Sequence, residues 1–98
     1  MFVSEFRDQV QRLREVQGFH LTLEQRLAYL VTEVGEVAEE TLKLSGARGE
    51  IDRADTRERL GMEIYDTVWN LFDLADIAGV DLEGAFEKKA RLNEERRW

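Results

Sequence analysis

The sequence predicts an all-α fold: four helices in one chain, the second and third paired antiparallel, associating into an oligomeric helical bundle. Two observations carry that expectation. The 98 residues contain no proline and only seven glycines, so little interrupts long helices. Apolar residues recur at i, i+3, i+4 and i+7 in four separate stretches and alternate strictly in none, which is the period of an amphipathic helix.

Each stretch has its own apolar stripe. Residues 3–17 align Phe6, Val10 and Leu13, with Val16 less central. Residues 23–44 repeat Leu23, Leu27, Leu30, Val34, Ala38 and Thr41. Residues 57–78 repeat Leu60, Ile64, Val68, Leu71, Leu74, Ala75 and Ala78. Residues 82–96 carry Leu82, Phe86 and Ala90. Start signals agree: Thr22 with Gln25 forms a capping box, Asp55 with Glu58 a looser one, and Asp81 caps the last helix. Gly18, Gly46 and Gly79 stand where helices end. The stretch SGARGEIDRA, residues 45–54, is the one long polar connector. The whole, residues 1–98, is expected to be a single domain.

A core this small is marginal, because a domain of this length buries only about 60–65% of its unfolded surface. A homo-oligomer, dimer or tetramer, is therefore expected. Tyr65, Trp69 and Phe72 form an aromatic ridge off the main apolar stripe. A ridge of that size should not stay wet, and a subunit interface is its expected cover. The net charge of −7 disfavours nucleic-acid polymers and anionic membranes as partners. No apolar run exceeds Leu27–Val31, far short of the roughly 20 residues that cross a bilayer. The chain has no cysteine, and its N-terminus meets charge within five residues. A cytoplasmic setting without a leader is expected.

The second helix carries a burden that stability does not explain. Glu33, Glu36, Glu39 and Glu40 crowd into three turns, and like charges one turn apart destabilise a helix. On a helical wheel Glu33, Glu36 and Glu40 fall within about 60° of one another, beside the apolar arc rather than opposite it. The third helix repeats the spacing with Glu63, Asp66 and Asn70, so that residues 30–44 align with 60–74. If the two helices pack through their apolar faces, both stripes converge along one edge. Four converging carboxylates repel in a partly buried site. A hard divalent cation such as Mg²⁺ relieves that conflict with oxygen ligands alone. A solvated charged face is the plain alternative. Di-iron chemistry is disfavoured, since His20 is the one histidine and no E-x-x-H motif exists.

At these residues the chain resembles the MazG-type nucleoside triphosphate pyrophosphohydrolases, of the all-α NTP pyrophosphatase superfamily. Glu33-Val34-Gly35-Glu36 followed by Glu63-Ile64-Tyr65-Asp66 is similar to the family's E-E-x-x-E, spacer, E-x-x-D signature, and Lys89, Asn93 and Arg96 are similar to its K-x-x-x-N-x-x-R tail. The first glutamate of the signature is replaced by Thr32. The likeness spans roughly residues 20–97. It implies Mg²⁺, with Mn²⁺ as a substitute, held by Glu33, Glu36, Glu63 and Asp66. It implies a nucleoside triphosphate substrate attacked by water at the α-phosphorus, giving monophosphate and pyrophosphate. Glu36 or Glu40 would then activate the water, and Lys89 and Arg96 would meet phosphate oxygens. Asn70 and Asn93 are expected near phosphate or ribose, and Phe19 or His20 near the base. The rival expectations are a catalytically silent helical module that binds a metal or a partner, and a phosphoribosyl-ATP pyrophosphohydrolase-like relative.

Overall fold

A computed structural model describes residues 2–18 and 20–96. Four helices and no strand occur among them: α1 Phe2–Gln17, α2 Leu23–Ser45, α3 Glu50–Ile77 and α4 Leu82–Glu95. Phe19, named above for a base contact, lies outside the described residues.

Helix α2 begins where the capping box places it. The Thr22 hydroxyl accepts from the Gln25 N–H at 3.1 Å, and the Gln25 side chain accepts from the Thr22 N–H at 3.0 Å. Two otherwise orphaned donors are thereby satisfied. Asp81 caps α4 by accepting from the Gly84 N–H at 3.1 Å.

Helix α3 departs from expectation at its start. It begins at Glu50, seven residues before the predicted 57, and most of the expected connector is helix. Its N-cap is Gly49, with φ at 86° and no side-chain cap. That backbone region excludes most other residues, so a glycine sets the boundary by conformation alone. Asp55 and Glu58 lie inside the helix rather than at its cap. At the far end Gly79, φ 71°, turns the chain toward α4.

The core is small and lies where α1 crosses α3. Val3, Phe6, Val10, Trp69 and Phe72 are buried together, with Val68 and Leu82 packed against them. Phe6 meets Phe72 edge-on, centroids 4.7 Å apart, and Tyr65 at 5.7 Å. Such tilted pairs add to the gain from area burial. The aromatic ridge is thus covered by α1 of the same chain, not held open for a partner. Trp69 and Phe72 are buried, while Tyr65 remains half exposed.

Helices α2 and α3 meet differently from the expected apolar pairing. Polar side chains cross between them: Arg26 to Asp73 at 2.8 Å, and Arg59 to Glu40 at 3.3 Å. The Arg53 guanidinium reaches the Ala47 carbonyl near the connector at 3.4 Å. Meanwhile Leu27, Val34, Ile64 and Leu71, all on the predicted core arcs, are 45–51% exposed. Leu23, Leu27, Leu71, Leu74, Val80 and Phe86 help to line an open apolar groove of about 620 Å³.

Candidate metal and phosphate site

The polar seam between α2 and α3 has two chemically different levels. Toward the C-terminus of α3, Asp73 is 1% exposed and meets two guanidinium groups. Arg26 Nε lies 2.8 Å from one carboxylate oxygen and Arg14 Nη1 lies 3.1 Å from the other. Arg26, itself buried, stacks over Trp69 at 5.2 Å and Tyr29 at 5.8 Å from the ring centroids. Arg14 continues to Asp76, which also accepts from Gln11 at 2.9 Å. Burial pushes the Asp76 carboxyl upward, but hydrogen bonds from Arg14 and Gln11 and the charges of Arg14 and Arg7 outweigh it, so its pKa is lowered. Every charge at this level has a counter-charge.

Two helical turns away no counter-charge stands against the acids among the described residues. Glu33, Glu36 and Glu63 each place a carboxylate oxygen within 4.8 Å of the others. Among the described residues the inner oxygens Oε2 of Glu33 and Glu63 are shielded from water and have no hydrogen-bond partner; Arg26 Nε and Asp73 Oδ1 share that lack but face opposite charges. Glu63 is pushed up to about 7, first by its hydrogen-bonding contact with Glu36, then by burial and the charges of Glu36, Glu33 and Asp66. Burial leads in raising Glu33, followed by contact with Glu36. Like charges held this close, with partial burial, disfavour full ionisation of the group.

The residues present fit a hard divalent ion. All donors are carboxylate oxygens, which Mg²⁺ and Mn²⁺ prefer. Three oxygens on one octahedral Mg²⁺ stand about 3 to 4.2 Å apart, so the three side chains would close inward around an ion. The two orphaned oxygens already lack any competing donor. Asp66, the fourth predicted ligand, stands outside the three-carboxylate group. It still adds its charge to both Glu33 and Glu63.

A pocket of about 350 Å³ opens beside these acids, lined by Leu13, Glu33, Tyr65, Asp66, Trp69 and Asn70. It joins apolar and aromatic walls to a polar edge, the composition of a small-molecule site. Asn70, predicted from the stripe, stands in its wall and is 5% exposed. Glu40 is held elsewhere, by Arg59 at 3.3 Å and Lys43 at 3.5 Å. His20 is exposed and lines a separate depression with Arg14, Thr22 and Ile77. Lys89, Asn93 and Arg96 are exposed on or just after α4, and none of them lines the pocket beside the acids.

Sequence reasoning missed Arg26, Asp73 and Arg14. A signal existed for the first two. Arg26, Glu33 and Glu40 are spaced by seven on α2, as are Arg59, Asp66 and Asp73 on α3, so each polar stripe runs on past its acids. Comparison of the chain with protein-family models, with curated proteins and with solved structures returns no match.

Proposed function

We propose that this chain is a Mg²⁺-dependent nucleoside triphosphate pyrophosphohydrolase of the MazG type, releasing monophosphate and pyrophosphate, with nucleotide-pool housecleaning as its role. One observation carries the reading: Glu33, Glu36 and Glu63 converge within 4.8 Å of one another, without a counter-charge among the described residues, beside a pocket of small-molecule size. Several details support the same picture. The contacts Arg26–Asp73 and Glu40–Arg59 fall at residue numbers with a constant sum of 99 (26 + 73, 40 + 59), the register of an antiparallel α2–α3 pair. The open apolar groove suits a second copy of the chain, giving the homo-oligomer that a small core favours.

In this reading Glu33, Glu36 and Glu63 hold the ion and Asp66 completes the negative field. The bound ion would neutralise phosphate charge and polarise the α-phosphoryl group. Glu36 is the first candidate to accept the proton of the attacking water. Pyrophosphate leaves from the α-phosphorus. Glu40 is the weaker candidate, since Arg59 and Lys43 already engage it. Lys89 and Arg96 would serve phosphate oxygens only after α4 or a second copy brings them to the acids, and Asn93 and His20 share that condition.

Hydrolysis in ¹⁸O-labelled water tests the reaction. The expected result is Mg²⁺-dependent turnover with label in the monophosphate and none in pyrophosphate. Label in orthophosphate would point to attack at the γ-phosphorus and remove this reading. Tight Mg²⁺ binding with no turnover of any nucleotide would favour the silent metal-binding module.

A further inference from the structure

Asn70 is tied at both ends of its amide. Arg26 Nη1 donates to Asn70 Oδ1 at 2.5 Å, and Asn70 Nδ2 donates to the Asp66 carbonyl at 2.8 Å. An arginine carries donors only, so the amide atom facing it must be the oxygen. The orientation of this side chain therefore follows from the identity of its neighbour. Arg26 in turn is held against Asp73 through Nε and lies over the rings of Trp69 and Tyr29. The guanidinium fork thus spends one edge on Asp73 and reaches Asn70 with the other, which a lysine could not do. Asn70 keeps one N–H without an acceptor among the described residues, and the residue stands in the wall of the pocket beside Glu33 and Asp66.

We propose that Asp73, acting through Arg26, is a positioning residue that locks Asn70 with its free Nδ2–H toward this pocket, making that wall a hydrogen-bond donor for an acceptor oxygen of the bound ligand. The ligand class rests on the pyrophosphohydrolase reading; the lock itself does not. Without Arg26 only the Asp66 carbonyl still resists turnover of the amide, and in the turned-over form the same wall would offer an acceptor that repels phosphate and carbonyl oxygens. Asp73 thereby connects the α1-covered part of the seam to the acid cluster without touching a ligand.

The lock is measurable in the free protein. In ¹⁵N-labelled protein the Asn70 side-chain amide should exchange slowly with water and show contacts to the Arg26 guanidinium. Arg26→Lys retains the charge against Asp73 but loses the fork, and should accelerate amide exchange by about 10-fold, the scale of one lost charge-assisted hydrogen bond. Asp73→Asn, isosteric and still an acceptor, should give a smaller acceleration in the same direction, so a folding defect in either variant leaves the other informative. Amide exchange and shifts equal to wild type in the folded variants would overturn the proposal. With Mg²⁺ present, inorganic tripolyphosphate and an α,β-methylene nucleoside triphosphate then separate the acceptor. A shift of the Asn70 amide with both probes assigns a phosphate oxygen, and a shift with the nucleotide alone assigns the base or sugar. A probe that binds without moving this amide would refute the donor wall. If neither probe binds, the pyrophosphohydrolase reading falls, and the lock still stands or falls on the exchange data.

Discussion

Two levels of one helix seam solve opposite problems. At Asp73 a carboxylate is almost wholly buried and meets two arginines. At Glu33, Glu36 and Glu63 three carboxylates gather with no cationic side chain against them among the described residues, although the same two helices supply them. The difference lies in what crosses above. Helix α1 brings Arg14 and the Phe6 core to the first level, while only Leu13 of that helix borders the pocket at the second. A closed, compensated charge serves the fold. An open, uncompensated one opposes it, and a bound cation would relieve that cost.

The largest predicted effect breaks the closed level. Asp73→Ala leaves the buried Arg26 guanidinium without its carboxylate, while Arg14 keeps Asp76. Removing one partner of a buried pair costs about 3–5 kcal/mol, so denaturant unfolding should show loss of most of the stability of so small a domain. A loss under about 1 kcal/mol would mean that water or a shifted α1 rescues Arg26, and the contrast between the levels would collapse.

The opposite sign is expected at the open level. Glu33→Gln with Glu63→Gln should raise the melting temperature of the metal-free protein, because it removes repulsion and loses no partner. In the wild type Mg²⁺ or Mn²⁺ should stabilise by mass action, about 2.7 kcal/mol at a hundredfold excess over Kd. The double variant should lose that response. A preserved metal shift in it would remove these glutamates from the site.

Much of this contrast was legible in the sequence. The i, i+3 spacing of Glu33–Glu36 and Glu63–Asp66 placed the acids on facing stripes, and the Thr22–Gln25 and Asp81 caps placed α2 and α4. The start of α3 was not legible, because Gly49 sets it by a positive φ and carries no side-chain signal, while Asp55 and Glu58 imitate a cap inside the helix. The seam itself was also misplaced. Apolar periodicity names a face that avoids water without saying what covers it, so Leu27 and Leu71 looked like the α2–α3 contact and instead flank an open groove. Trp69 and Phe72 were correctly refused to water, but α1 of the same chain covers them. A polar stripe reads as solvated surface unless its register is followed to the arginine at one end and the aspartate at the other.

Titration should sharpen the comparison by giving the two levels opposite pH responses. Glu63 is pushed up to about 7 in the folded protein from an ordinary 4.5, so the folded state binds more protons than the unfolded one between those values. The apo protein should therefore lose stability as pH rises from about 4.5 to about 7. Asp76 runs the other way: its pKa is lowered, so its contribution is present above the ordinary aspartate range and fades as pH falls below it. A melting series without metal should show a maximum on the acid side of neutrality, flattened on the alkaline side by saturating Mg²⁺. A curve rising steadily through pH 7 in the absence of metal would contradict the clustering of the glutamates.

The smallest effect concerns the exposed end of the seam, where Arg59 meets Glu40. Arg59 keeps 52% of its side chain exposed, so solvent screens the pair and its contribution to stability should fall in the 0.2–1 kcal/mol range typical of exposed pairs, as a rough bound. Arg59→Ala should barely shift the unfolding midpoint. It should still register in metal affinity. Glu40 lies one turn from Glu36, and deleting the nearby cation makes the field at the acids more negative. At such separations in water the change is about 0.5 kcal/mol, a roughly two-fold gain in Mn²⁺ affinity at low salt that fades as ionic strength rises. Weaker Mn²⁺ binding in Arg59→Ala would show instead that Arg59 holds Glu40 where the ion needs it, and Glu40 would join the ligand set rather than stand apart from it.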